Sequence, residues 1–208
     1  MKTLSLLLIL AIGCLCNRSY AQSALEPCPP EFLADYYLGV DKIIDDAVGR
    51  PARLALTTLP SFHAESGVRL VGTDVYLVRF DSFFWAEANS FDEKSGRGRT
   101  DFSKPRIKTK VHSAALSPEI ANRVEQTYAA AIANAKKSDR LGLDGVSYRF
   151  STPQTGCGEA WSPDPGTANA RLVELSELLA KHAQLSKLRH MQRSEQSIVQ
   201  LLRTMSGR

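Results

Sequence analysis

Two cysteines, Cys28 and Cys157, constrain this chain more than any other feature in it. The 208 residues hold four cysteines, but Cys14 and Cys16 lie in an N-terminal segment that reads as removable. Lys2 supplies a short positive start. Leu4 to Ile12 is an apolar run of signal-peptide length, too short to cross a bilayer as a helix. Ser19-Tyr20-Ala21 ends on a small residue, close to an A-x-A cleavage pattern, so cleavage is expected before Gln22. That cut removes residues 1–21 and leaves two thiols. In an oxidising compartment a disulfide between them is the default expectation. Closing a loop of about 130 residues in this way is worth roughly 4 to 5 kcal/mol in the chain-entropy description.

A rival processing route runs through Ala11-Ile12-Gly13-Cys14, which resembles a lipobox and would make Cys14 a lipid anchor. Ala11 stands where such boxes prefer leucine. Lipidation there also leaves Cys16, Cys28 and Cys157, an odd set of thiols. Downstream, no stretch of about 18 apolar residues follows, so no transmembrane segment is expected in the mature chain.

About 187 mature residues are enough for one domain with its own core. Hydrophobic content of 43% and charged content of 23% are ordinary for a globular protein. Taking Lys2 and Arg18 from the 26 basic residues leaves 24 against 22 acids, a net charge of +2. That is too weak to point to nucleic acid. The charge is unevenly placed, however. Glu31, Asp35, Asp41, Asp45 and Asp46 oppose only Lys42 in one stretch. Lys94, Arg97, Arg99, Lys104, Arg106, Lys108 and Lys110 oppose only Asp101 in another. Segregation of this kind steers a charged partner.

The periodicity predicts three helices. In residues 31–49, Tyr36, Tyr37, Val40, Ile43, Ile44 and Ala47 recur at steps of three and four, and Gly49-Arg50-Pro51 ends the pattern. Ser117-Pro118-Glu119 opens a second helix with Ile120, Val124, Tyr128, Ala131, Ile132 and Ala135 inward. Thr167 or Asn169 caps a third, running to about His182 on Leu172, Leu175, Leu178 and Leu179. Between the first two lie strand signals. "GVRLV" and "VYLVRF" flank a turn at Gly72-Thr73-Asp74, and "SFFWAEANSF" reads as further sheet. "RIKTKVH" alternates, with Ile107, Thr109 and Val111 on one face and Arg106, Lys108, Lys110 and His112 on a wet one. "GLDGVSYRFS" is a strand with Val146, Tyr148 and Phe150 together, and "TGCGEAWSPDPGT" reads as a loop pinned by its cysteine. The expected class is α+β, an antiparallel sheet of about four to five strands against two or three helices, the first of them acidic on its exposed face. One domain spans 22–184, followed by a basic helical or frayed tail over 185–208.

Tests for chemistry return no catalytic, cofactor-binding or metal-ligating set. Cys157-Gly158-Glu159-Ala160-Trp161 invites comparison with the papain signature, but Ala160 stands where the nucleophilic cysteine belongs. No G-x-S-x-G occurs, and Ser162 sits in turn chemistry. His63 and Glu65 are two apart, and His182 and His190 eight apart, without a metal-site spacing. Asp41, Asp45 and Asp46 are expected on the solvated side of their helix. The remaining candidate is a basic binding surface made by Arg97, Arg99, Lys104, Arg106, Lys108 and Lys110, set against the plainer reading of an edge strand guarded by lysines.

The runs "LDGVSYRF", "GCGEAWSPDPGT" and "LVELSELLAKHA", residues 143–183, resemble a C-terminal pattern of small exported bacterial proteins: Asp-Gly-x-x-Tyr-x-Phe, a tight Trp-Ser-Pro loop, then a Leu-rich helix. The resemblance implies export and a bacterial source and transfers no activity. Together these features lead us to expect an exported, periplasmic binding protein, with an immunity or inhibitor protein for an envelope enzyme as the concrete form. The partner would be an acidic protein or anionic envelope component, and not nucleic acid. The alternatives are an envelope hydrolase and a lipid-anchored protein held through Cys14.

Overall fold

The computed structural model describes residues 24–28, 34–92, 97–102, 106–137 and 144–206. The leader 1–21 with Cys14 and Cys16, its cleavage site and Lys104 lie outside the described residues.

The class is α+β, with a larger sheet than expected. Seven strands run in the order β1 (Glu26–Pro27), β9 (Gly156–Trp161), β8 (Val146–Thr152), β2 (Leu54–Pro60), β3 (Ser66–Val71), β4 (Asp74–Phe80), β7 (Thr109–Ala115), every neighbour antiparallel. A separate hairpin pairs β5 (Asn89–Asp92) with β6 (Arg97–Thr100). The helices are α1 (Ala34–Val48), α2 (Phe84–Ala88), α3 (Pro118–Ala133), α4 (Ala168–His182) and α5 (Leu188–Ser206).

Two local misreadings explain the difference. Glycines and prolines make "TGCGEAWSPDPGT" look like a loop, yet its first half is β9, whose core face is carried by Gly158 and Ala160. Gly158 has to be small there, because a Cβ would stand 2.9 Å from the Leu25 side chain. "SFFWAEANSF" does not extend the sheet. Phe84 begins the five-residue α2, and the chain then leaves in the hairpin.

Helices cover both faces. On one, Leu54, Leu56, Val68, Leu70, Val75, Leu77 and Phe150 form the main core with α3, α4 and α5, and Leu25 closes its edge. On the other, Leu59, Val78 and Phe80 pack against Tyr36, Val40 and Ile44 of α1 and Phe84 of α2. This sandwiching corrects the expected wet face of "RIKTKVH". His112, opposite Leu77, is half-buried, whereas Val111, opposite Val78 on the edge strand, is 41% exposed.

α3 and α4 begin at Ser117 and Thr167 as expected, though the Ser117 side chain makes no capping hydrogen bond. Thr167 Oγ1 accepts the Ala170 amide at 3.1 Å, fixing the start of α4. Ser117 precedes α3, and Glu195 of α5 accepts the Ser117 amide at 2.7 Å. Within the stretch read as a tail, α5 buries Ile198, Leu201 and Leu202 in the main core.

Cys28 and Cys157 are disulfide-bonded, with Cα atoms 5.5 Å apart across 129 positions. The bond ties the two-residue β1 to β9, whose outer edge has no other neighbour among the described strands. Trp161 lies at the opposite end of β9 from Cys157, against Gly145.

Candidate functional site

Residues of the expected basic surface fall into two places. Arg97 and Arg99 lie on β6, in the hairpin whose end is tied back by the Asp101 amide donating to Ala88 O at 2.8 Å. Arg106, Lys108 and Lys110 stand exposed at the start of β7, an edge strand. The Lys108 amide donates to the Asp81 carboxylate at 2.9 Å, and the Asp81 amide to Lys108 O at 3.0 Å, so the backbone that carries these lysines is held. The register adds a cation that sequence reading missed. Arg79 of β4 pairs directly with Lys110, and it is also exposed. No described carboxylate lies within ion-pair distance of Arg79, Arg106, Lys108 or Lys110. At the same end of the sheet the β2–β3 turn presents Phe62, 70% exposed.

The acids of α1 lie on its solvated side as expected, and two of them also reach a buried partner. Asp45 and Asp46 are exposed, and Asp46 pairs with Lys42 at 2.6 Å. Asp41 and Asp45, one helical turn apart, instead reach down to Arg69, which is 1% exposed. Arg69 Nε donates to Asp45 Oδ1 at 2.6 Å and Nη2 to Asp41 Oδ1 at 2.9 Å. Its Nη1 donates to Thr57 Oγ1, Leu56 O and Val68 O at 3.2 to 3.3 Å, and the Thr57 hydroxyl donates to Asp41 at 2.7 Å. Gly67 makes the space. A Cβ there would stand 2.6 Å from Ile44 Cδ1 and 3.0 Å from Arg69 Nη1.

The charge row continues across the sheet, where Glu26, Glu159, Arg149 and Thr57 stand opposite one another in turn. The Arg149 guanidinium lies 4.1 Å over the Tyr37 ring and 3.8 Å from both Asp41 Oδ2 and Glu159 Oε2. Burial raises the Glu159 carboxyl pKa above the ordinary range, and Glu26 adds to the shift. Arg149 and a Ser147 hydrogen bond pull the other way. Burial also raises the Tyr37 phenol, helped by the Glu159 charge. The row sets two acids, Glu26 and Glu159, beside Arg149, and offers no nucleophile beside a base. Its geometry is that of a brace between α1 and four strands.

Glu65, read in the sequence only as a neighbour of His63, is a second buried acid. Glu65 is 1% exposed, accepting from Tyr36 OH at 2.8 Å and from the Phe84 amide at 2.8 Å, where α2 begins. Tyr36, Phe84, Trp85 and Phe102 pack around it with ring centroids 5.4 to 5.9 Å apart. Burial raises its pKa despite those donors. His63 is exposed and does not join Glu65, and His182 is buried with Nε2 3.0 Å from Ala115 O, away from exposed His190. Among the described residues no three histidine, cysteine or acidic side chains group as a metal site would require, and no helix is long and apolar enough to cross a membrane.

The raised Glu65 pKa sets a pH dependence. The folded state holds this proton at a pH where the unfolded chain has released it, so stability from this group is present in acid and is lost as pH rises through the folded pKa. Glu65→Gln lacks that slope. The stability gap between wild type and variant is therefore largest near pH 4 and narrows toward pH 7, as thermal melts across that range should record. A gap that widens with pH would contradict it.

The chain matches no protein family, no curated protein and no solved structure.

Proposed function

We propose that this is an exported binding protein of an oxidising compartment, periplasmic in a two-membrane cell, that recognises an acidic protein through the basic end of its sheet. Inhibition or immunity against an envelope enzyme is the form we favour. The observation that carries the reading is the Arg79–Lys110 pair. Like charges placed directly opposite each other on antiparallel strands destabilise the sheet, and here no described carboxylate lies within ion-pair distance of either. An acidic partner supplies the missing charge. Arg106 and Lys108 widen the field, and Phe62 offers an apolar anchor of the kind that concentrates binding energy. The disulfide supports the compartment, since such bonds persist where thiols are not kept reduced.

The test uses the mature protein as bait against native envelope extract at low and moderate salt. Arg79→Glu/Lys108→Glu/Lys110→Glu is expected to lose the associated protein, and so is the wild type as salt rises. No association at low salt, or the same association by the reversed variant, overturns the reading. Mass spectrometry of the exported chain is expected to find an unlipidated N-terminus at Gln22. A lipidated Cys14 would establish the anchored alternative instead.

A further inference from the structure

The helix layer holds a cleft that none of this uses. It lies between α3, the start of α4 and the end of α5, with a volume of about 430 Å³. That falls in the range of small-molecule sites, which run from about 300 to 1,000 Å³. Ala130 and Ala131 of α3, Leu172 of α4 and Met205 of α5 give it an apolar wall. Methionine among alanines makes such a wall adaptable in shape. Arg123 of α3 and Arg171 of α4 line the same cleft. Both are half-buried, neither has an ion-pair partner among the described residues, and no described carboxylate lines the cleft.

Two half-buried guanidinium groups with no counter-charge among the described residues, beside an apolar wall, match one ligand chemistry. The wall takes a chain of methylenes, from which water is expelled. The arginines take an anionic head, and their planar forks suit a carboxylate. Ala168, the first residue of α4, stands at the same mouth, so the positive end of that helix adds to the field. We propose that this cleft binds a single-chain amphipathic carboxylate, taken up as a monomer from solution, with its head between Arg123 and Arg171 and its chain along Ala130, Ala131, Leu172 and Met205. The site lies among the helices and shares no residue with the basic end of the sheet, so either reading can fail alone.

Calorimetric titration of the mature protein with dodecanoate, kept below its micelle concentration, tests this. One molecule is expected to bind per chain. Arg123→Gln and Arg171→Gln are each expected to weaken binding about tenfold or more, because a hydrogen bond to a charged group is being removed. Dodecanol, with the same chain and no charge, is expected to bind at least tenfold more weakly. Ala130→Trp keeps both arginines and fills an exposed position of the wall, and is expected to abolish binding. Circular dichroism and melting of each variant establish that it is folded. Absence of one-to-one binding overturns the proposal, as does equal binding of dodecanol, or unchanged binding by the folded arginine variants or by Ala130→Trp. Co-sedimentation with anionic phospholipid vesicles in place of dodecanoate binding overturns it too, since the cleft would then be serving a membrane surface.

Discussion

Replacing Cys28 and Cys157 together by serine is expected to lower the unfolding free energy by about 4 to 5 kcal/mol. The bond closes a loop of 129 positions, so the cross-linked unfolded chain loses much of its freedom. For a chain of this length the midpoint of thermal unfolding falls by roughly 2 to 4 °C per kcal/mol, giving a drop of about 8 to 20 °C. The native end of the bond predicts where the loss shows first. β1 has two residues and covers the outer edge of β9. Apart from the disulfide it is held by Leu25, 1% exposed, by the Lys136 amide donating to Leu25 O at 2.7 Å, and by Asn169 Nδ2 donating to Ala24 O at 2.9 Å. Hydrogen exchange of the double-serine variant should accelerate along β9 before the central strands open. Urea unfolding measures the total. A loss under 1 kcal/mol, or a free thiol titrated in the native protein under non-reducing conditions, would contradict the bridge.

Arg69→Ala ranks next, at about 3 to 4 kcal/mol. The variant empties the space of a long buried side chain and leaves Thr57, Leu56 O and Val68 O without their donor. It also leaves two carboxylates facing the gap, though water already reaches them, since the Asp41 and Asp45 side chains are 34% and 58% exposed. That exposure orders the partner variants. Asp41→Asn costs more than Asp45→Asn, because Asp41 also serves Thr57 and a more exposed ion pair is worth little. Arg69→Lys keeps the charge but loses the planar fork, so it falls between Ala and wild type. Denaturant midpoints at constant slope give the order. A cost for Asp45→Asn equal to that for Arg69→Ala would mean that the exposed pair, not the buried guanidinium, carries the brace.

What the sequence made legible was local. Ser117-Pro118 and Thr167 announced α3 and α4 because capping chemistry and apolar period sit within a few residues of each other. Gly72-Thr73 announced the hairpin of β3 and β4 because a two-residue turn needs a residue tolerant of positive φ, and Gly72 has φ of 60°. The cysteine pair was legible by elimination. β9 was hidden because its inward positions are Gly158 and Ala160, which carry no hydrophobic signal, and the smallness of Gly158 makes sense only once Leu25 is known to press on it. Arg69 was hidden for the opposite reason. An arginine within "GVRLV" reads as a solvated position, and the two aspartates that hold it are 24 and 28 residues earlier. Arg79 joined the basic end only through the β4–β7 register. Glu65 and the aromatic group around it draw on α1, the β2–β3 turn, α2 and the segment after β6, which no local window spans.

The place of β8 in the sheet dictates an order of assembly. It is among the last strands to be made, yet it is inserted between β2 and β9, pairing with a strand about ninety residues older. Until residues 146–152 arrive, β2 offers an unpaired edge beside Leu54, Leu56 and Leu59. A chain that emerges N-terminus first therefore carries an unpaired strand edge until β8 follows, and pairings this distant in sequence form slowly. The exposed edge of β2 over that interval is where a folding chain of this topology is open to pairing with another chain.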